Sequence, residues 1–330
     1  MVPRWLSAQC HPRTDGWLIG GMDLRQLNAI VAVSEHRSFS AAARALHTVQ
    51  SNVSTHVARL ERELDAILVD RRTGELTAEG EIVVLRALRI KAELQAIPAD
   101  VSALRDDIRG IVRFGIIGTT GRWLVPALLR ALKEQYPGVH LVVVDATTTG
   151  LLPQLQSGQL TMAVLNLPLS EPELASEPLF DEERILIVPN DHPLAGKDRV
   201  PLSELAKHEL VLPPEGTQFR NEVDEAAAEQ GISLTPAAEL DGMRLLASLA
   251  FQGYAPALVP ATAAPFGEGD TWSIVNVDDM STRSVGLAYR RWTTLPAPAR
   301  AVQAVIGEVV AARGEQQPGL HVTVGEGEDS

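Results

Sequence analysis

Ser38–Glu63, SFSAAARALHTVQSNVSTHVARLERE, reads as two short helices joined by a tight turn. Phe39, Ala42, Ala43 and Leu46 share one face of the first, and Val53, Val57, Leu60 and Leu64 one face of the second, at the spacing of a helical stripe. Turning both stripes inward leaves Ser51, Thr55 and Arg62 outward, with Ser54 and Arg59 on the flank. Such a face suits a DNA groove, because hydroxyls and amides reach base edges and phosphates while guanidiniums neutralise backbone charge. Ala41, Ala42 and Ala43 allow the close helix approach of a helix-turn-helix. An ordinary helical hairpin with a solvated polar face has the same periodicity, so the stripe alone leaves both readings open.

The order of residues narrows the choice. AAARALHTVQSNVSTHVARLE, then Leu64–Arg72 and Leu76-Thr77-Ala78-Glu79-Gly80, preceded by MDLRQLNAIVAVSEHRSFS from Met22, resembles the LysR-type transcriptional regulators. The likeness runs more loosely to about Ala312. It implies that Gln50, Ser51, Ser54 and Thr55 contact bases and backbone, and that Thr48, Asn52, Arg59 and Arg72 anchor phosphates. The chain departs from the family in its short wing, where only Arg72-Thr73-Gly74-Glu75 separate Arg71 from Leu76-Thr77. Asp65 and Val69 also stand where relatives commonly carry glycine and phenylalanine. A Thr-Gly turn between two short strands is expected there.

A net charge of −13 over 330 residues is unusual for a nucleic-acid binder. The excess acid lies outside the reader: residues 22–79 hold seven basic and eight acidic side chains, whereas residues 80–330 hold 20 and 33. Phosphate affinity must then rest on a few placed arginines and on helix termini. Cys10 is the single cysteine, which excludes an intrachain disulfide framework or cysteine zinc site and suits a cytoplasmic protein. No thiol lies in the carboxy-terminal region to act as a peroxide sensor. Residues 1–21 lack the apolar core of a secretion signal and are expected to be a disordered extension or the product of an upstream start. No run approaches the roughly 18 apolar residues of a membrane helix.

From Glu79 to Arg109 the chain reads as one long helix. Val83, Ala87, Ile90, Leu94, Ile97, Val101, Leu104 and Ile108 alternate by four and three, the seam of a two-helix coiled coil. Pro98 predicts a kink or break near Ala96–Ala99. In LysR-type proteins this element is the linker helix that pairs subunits, so a dimer through Val83–Ile108, or a tetramer, is expected.

Beyond Gly110, strands alternate with helices, the succession of a parallel sheet covered on both faces. Strands are expected at Ile111–Ile117, Val139–Asp145, Met162–Leu165, Arg184–Val188, Glu209–Leu212, Ala257–Val259, Trp272–Val277 and Ser284–Tyr289. Helices fall near Leu124–Gln135, Leu151–Ser157, Phe219–Gln230, Met243–Gln252 and Pro298–Ala312. LVPALLRALKEQYPGVHL and LLPQLQSGQLTMAVL resemble the two-lobed, periplasmic-binding-protein-like effector domain of the same family. The expected fold is thus α+β multidomain. It comprises a winged helix-turn-helix (22–79), a linker helix (80–109), an effector domain (110–313) and a disordered tail (314–330). Lobe I would take about 110–183 and 272–313, and lobe II about 184–271.

A ligand in such a fold sits beside strand ends and helix starts. That places Thr119, Thr120, Thr147, Thr148, Asn166, Thr217 and Gln218 at an interlobe cleft suited to a small anion such as a carboxylate. Walker, Gly-x-Ser-x-Gly, His-Glu-x-x-His and zinc-ligand spacings are absent, so no catalytic residue, metal or cofactor is expected. Asp181-Glu182-Glu183 reads as a solvated edge, and His192 and His208 as surface residues. The expected protein is a non-enzymatic regulator that binds double-stranded operator DNA, itself and a small effector, and no membrane. The competing reading is a small-molecule-binding protein or enzyme of the same two-lobed fold with an accessory helical domain.

Overall fold

The computed structural model describes residues 21–105, 107–265, 271–291 and 294–323. The expectations for residues 1–20 and 324–330 therefore lie outside the described residues. Two compact units divide at Ala92 and Glu93.

The first unit holds α1 (Leu24–His36), α2 (Phe39–Ala45), α3 (Gln50–Leu64) and the start of α4 (Ala78–Ala103). Asp23 opens α1 with a reciprocal capping box, its carboxylate accepting from the Arg25 and Gln26 N–H groups while Gln26 Oε1 accepts from Asp23 N–H. Ile30, Val33, Ala42, Val53, Val57, Leu60, Leu68, Val84 and Ala87 are buried together. Leu46 and Leu64, expected inside, are 39% and 37% exposed. Leu46 is already the cap of α2 and Leu64 the last residue of α3, so neither completes a buried turn. Between the helices, His47 adopts a left-handed φ of 52°. The wing is a single bridge, Val69 to Leu76, rather than two strands. Gly74 sits at φ 76° in its turn, where a Cβ would meet the Arg37 carbonyl oxygen at 2.3 Å.

The long helix is shorter than the heptad implies. It stops at Ala103, and Arg105 N–H bonds back to the Ser102 carbonyl in a tighter turn. The chain then enters a sheet, with Gly110 N–H on the Gly138 carbonyl, so Leu104 and Ile108 lie outside the helix. No break occurs at Pro98, which is exposed within continuous helix; the carbonyl it leaves unbonded can be hydrated. Ile82, Ile90, Leu94, Ile97, Val101 and Leu104 are all more than two-fifths exposed.

In the second unit, the first sheet contains β1 (Gly110–Ile116), β2 (Val139–Asp145), β3 (Met162–Leu167), β4 (Leu174–Glu182), β11 (Arg283–Arg290) and β12 (Leu320–Val322). The second contains β5 (Arg184–Pro189), β6 (Arg199–Pro201), β7 (Glu209–Leu212), β8 (Thr235–Glu239), β9 (Ala257–Pro260) and β10 (Trp272–Asp278). Their orders are β12-β4-β11-β3-β1-β2 and β6-β10-β5-β9-β7-β8. Both sheets are mixed, because β11 runs antiparallel to β3 and β4, and β5 antiparallel to β9 and β10. The helices are α5 (Gly118–Gln135), α6 (Thr148–Ser157), α7 (Leu202–Leu205), α8 (Gln218–Glu229), α9 (Met243–Phe251) and α10 (Ala297–Arg313). Phe114, Leu124, Leu128, Leu151, Met162 and Phe180 anchor the first lobe's core, and Leu186, Leu210, Leu212, Val223, Leu258 and Val275 that of the second.

Three expectations change here. Trp272–Asp278 pairs with β5 and β6, so it belongs to lobe II and the return to lobe I begins after it. The tail is not wholly irregular, because β12 pairs antiparallel with β4. Asp181-Glu182-Glu183 is no solvated edge: it crosses from one sheet to the other, and Glu182 is fully buried.

Two opposite charges lock that crossing. Glu182 Oε1 accepts from the Thr262 N–H at 2.6 Å, and Oε2 from Arg283 Nε at 2.6 Å. Arg184, also buried, pairs with Glu222 of α8 and donates to the Ser281 carbonyl in the second crossing. Removing one member of a buried pair strands the other charge. Glu182→Ala should therefore lower stability by about 3 kcal/mol, and Glu182→Gln by less because an acceptor for Thr262 remains, measured by urea unfolding with tryptophan fluorescence.

Candidate functional site

The exposed side of α3 carries Gln50, Ser51, Asn52, Thr55 and Arg59. Thr48 and Ser54 are half-buried, and Arg72 is exposed on the wing turn. The helix begins at Val49 without a side-chain cap, so its first N–H groups are open to a phosphate. Several of these residues already hold one another. Asn52 Nδ2 donates to Thr48 Oγ1 at 3.0 Å, and Ser40 Oγ donates to Gln50 Oε1 at 3.2 Å.

Ser54 is the exception among the expected contacts. Its hydroxyl accepts from Arg71 Nη1 at 3.1 Å, while Arg71 Nη2 pairs with Glu61 at 2.7 Å. The Arg71 guanidinium also lies 4.9 Å from the centre of the Phe39 ring. The other Glu61 oxygen accepts from the Leu68 and Val69 N–H groups at 3.1 and 3.4 Å. Glu61 and Arg71 thus tie the wing to α3, a role the sequence reading did not assign. The available signal was spacing: Ser54 and Glu61 lie two turns apart on one side of α3. In the wing, Asp70 accepts from the Arg72 and Thr73 N–H groups, which holds its carboxyl below the ordinary range. The folded turn favours the ionised form, so this contribution is lost as pH falls through that lowered value.

In the second unit, a cavity of about 680 Å³ opens between the two sheets. Thr119, Thr147, Thr148, Asn166, Thr217 and Gln218 all line it. Thr120 does not. It is fully buried on α5, turned away from the opening, with its hydroxyl unpartnered. Thr148 Oγ1 accepts from the Asn166 N–H at 3.2 Å, and Thr147 caps α6 through Gly150 N–H at 3.3 Å. By contrast α5, α8 and α9 start at the cavity with no side-chain cap. The Thr217 hydroxyl instead donates to the Pro214 carbonyl.

The charged lining was not foreseen. Arg283 Nη2 donates to Thr119 Oγ1 at 3.0 Å while its Nε holds Glu182. Glu222 accepts from Gln218 Nε2 at 3.2 Å as well as from Arg184. Asp145, at the end of β2, pairs with Arg244 of α9 and so joins the lobes across the opening. Gly118 permits this approach, since a Cβ there would lie 2.9 Å from Asp145 Oδ1 and 3.3 Å from Arg244 Nε. His192 and His208 form a half-buried pair elsewhere in lobe II, ring centres 4.7 Å apart. Burial, then the neighbouring imidazole, depresses the basicity of His192.

Two family profiles match the chain: the bacterial regulatory helix-turn-helix protein of the lysR family over residues 24–81, and the LysR substrate binding domain over residues 105–311. The chain belongs to the LysR family of DNA-binding transcription regulators. A probable hydrogen peroxide-inducible genes activator of Mycobacterium leprae is 33% identical, over 86% of this chain and 93% of that one. A full-length OxyR variant from Pseudomonas aeruginosa aligns over 88% of this chain and 94% of its own, with 26% identity and a TM-score of 0.70. Full-length CbnR complexed with its target DNA shares the fold at TM-score 0.63 and 24% identity, over 88% of this chain and 99% of that one.

For this regulator, Arg71→Ala should weaken DNA binding about tenfold by freeing the wing, while Arg71→Lys, which keeps charge but not the forked contacts, should recover only part. Fluorescence anisotropy on operator DNA at fixed salt measures both.

Proposed function

We propose that this LysR-type regulator reads a two-fold symmetric operator through α3 and the wing, as a homo-oligomer in the cytoplasm, without catalytic activity. The exposed polar face of α3, packed through Val53, Val57 and Leu60 on an apolar core, is the observation that carries the reading. Gln50, Ser51, Thr55 and Ser54, whose hydroxyl keeps its own proton to donate while accepting from Arg71, meet base edges and backbone; Thr48, Asn52, Arg59 and Arg72 meet phosphates. The exposed apolar stripe of α4 pairs with a second copy, which gives the two readers their symmetry. No described helix is long and apolar enough to cross a membrane.

A small effector in the interlobe cavity supplies the signal. The uncapped starts of α5, α8 and α9 favour an anionic group such as a carboxylate. A ligand that binds one closure of the lobes more tightly than another shifts the subunit arrangement and so the reader spacing. Some relatives are named for induction by hydrogen peroxide. A cysteine thiol is the ordinary protein target of that oxidant, yet residues 11–330 contain no cysteine. Reversible binding is therefore the mechanism supported here, in place of thiol oxidation.

Gel-shift titration against DNA from the chain's own upstream region tests the reading. Ser51→Ala/Thr55→Ala should weaken specific binding about tenfold or more. Unchanged affinity would remove α3 as the reader, and a complete lack of salt-sensitive binding would overturn the regulator assignment. Ile90→Asp/Ile97→Asp should yield monomers in sedimentation. Peroxide should leave operator affinity unaltered.

A further inference from the structure

We propose that the effector is a zwitterion: an α-amino acid with an apolar side chain, whose ammonium group is held by Asp241 and whose carboxylate meets the uncapped helix starts. This deepens, and rests on, the reading of the interlobe cavity as the effector site. The argument is one of unspent charge. Asp145 is neutralised by Arg244, Glu222 by Arg184, and Arg283 by Glu182. That leaves Asp241, which lines the same cavity and has no ion pair or hydrogen bond among the described residues. A lone carboxylate in a ligand cavity next to helix starts that already favour anions would repel a purely anionic effector. A cationic group on the ligand removes that repulsion and converts it into a charge-assisted hydrogen bond.

A second side chain suits the other end of the same ligand. The side chain of Asn166, on the opposite lobe, makes no hydrogen bond among the described residues; its Oδ1 is buried, which leaves the Nδ2 end to the cavity it lines. That amide group can donate to the ligand carboxylate. Ile117, Phe219 and Met243 complete the lining with apolar surface, and the volume exceeds what a free ammonium or acetate needs. The ligand carboxylate competes with Asp145 for Arg244, which makes occupancy and the interlobe pair mutually dependent.

Isothermal titration of the full chain with two matched sets tests this: L-phenylalanine, hydrocinnamate and phenethylamine, then L-leucine, isocaproate and isoamylamine. At least one amino acid should bind saturably and about tenfold more tightly than either its deaminated or its decarboxylated partner. Asp241→Asn should abolish the preference over the deaminated acid while leaving affinity for that acid intact or improved; Asn166→Ala should weaken the amino acid and its deaminated partner alike. Melting curves without ligand verify that both variants fold. A carboxylic acid that binds as tightly as its amino acid would overturn the ammonium assignment while leaving the effector cavity in place. An amine that does so would overturn the carboxylate half. Failure of all six compounds to bind a protein that still shifts operator DNA would overturn the amino-acid class and leave the regulator reading standing.

Discussion

The effector region depends on two charges placed two residues apart. Glu182 and Arg184 flank Glu183 where the chain leaves one sheet for the other, and both are buried. A buried charge is expensive unless paired and hydrogen-bonded, and both are. Their partners are not local: Thr262 follows β9, Ser281 lies in the second crossing, Arg283 on β11 and Glu222 on α8. The pairs therefore bind the crossings to each other. They also reach the cavity wall, through Arg283 to Thr119 and through Glu222 to Gln218. On the effector reading proposed above, each of these two hydrogen-bonded sets joins a cavity-wall residue to a crossing, the arrangement in which occupancy and closure become coupled.

The DNA-reading unit follows a similar logic on a smaller scale. Its recognition helix carries little excess positive charge, and one of its nearby arginines is committed to architecture. Arg71 spends its guanidinium on Ser54, Glu61 and the Phe39 ring. On the proposed reading, phosphates would fall to Arg59, Arg72 and the uncapped start of α3. A reader of the proposed kind would gain less from bulk electrostatics and more from geometry, so its register on DNA would rest on how firmly the wing is tied down.

Much of this was legible in the sequence, and the limits have physical causes. Periodicity placed β2, β7 and α9 nearly to the residue, because apolar spacing reports burial directly. Six of seven proposed cavity residues line the cavity, since strand ends and helix starts converge there in any such topology. Thr120 failed because successive residues of a helix face different ways, and only its neighbour Thr119 turns to the opening. Glu182 was misjudged because three consecutive acids look solvated until one knows that a strand alternates its faces. β12 escaped notice because the Gly- and Glu-rich composition of the tail as a whole masks the short alternating run Leu320-His321-Val322-Thr323. The end of α4 was misplaced because a heptad describes side-chain spacing, not the pull of a distant sheet edge.

That late strand has a practical side. Leu320–Val322 covers the outer edge of β4 from Phe180 to Glu182, and the Gly319 carbonyl accepts the Glu183 N–H at 2.8 Å. The polypeptide beyond α10 is thereby stitched to the segment where the lobes join. Trimming the chain after α10 would lay bare an unprotected strand edge, an invitation to intermolecular pairing. A purification handle or fluorescent fusion is thus better carried at the amino end, or appended beyond Thr323 through a flexible spacer.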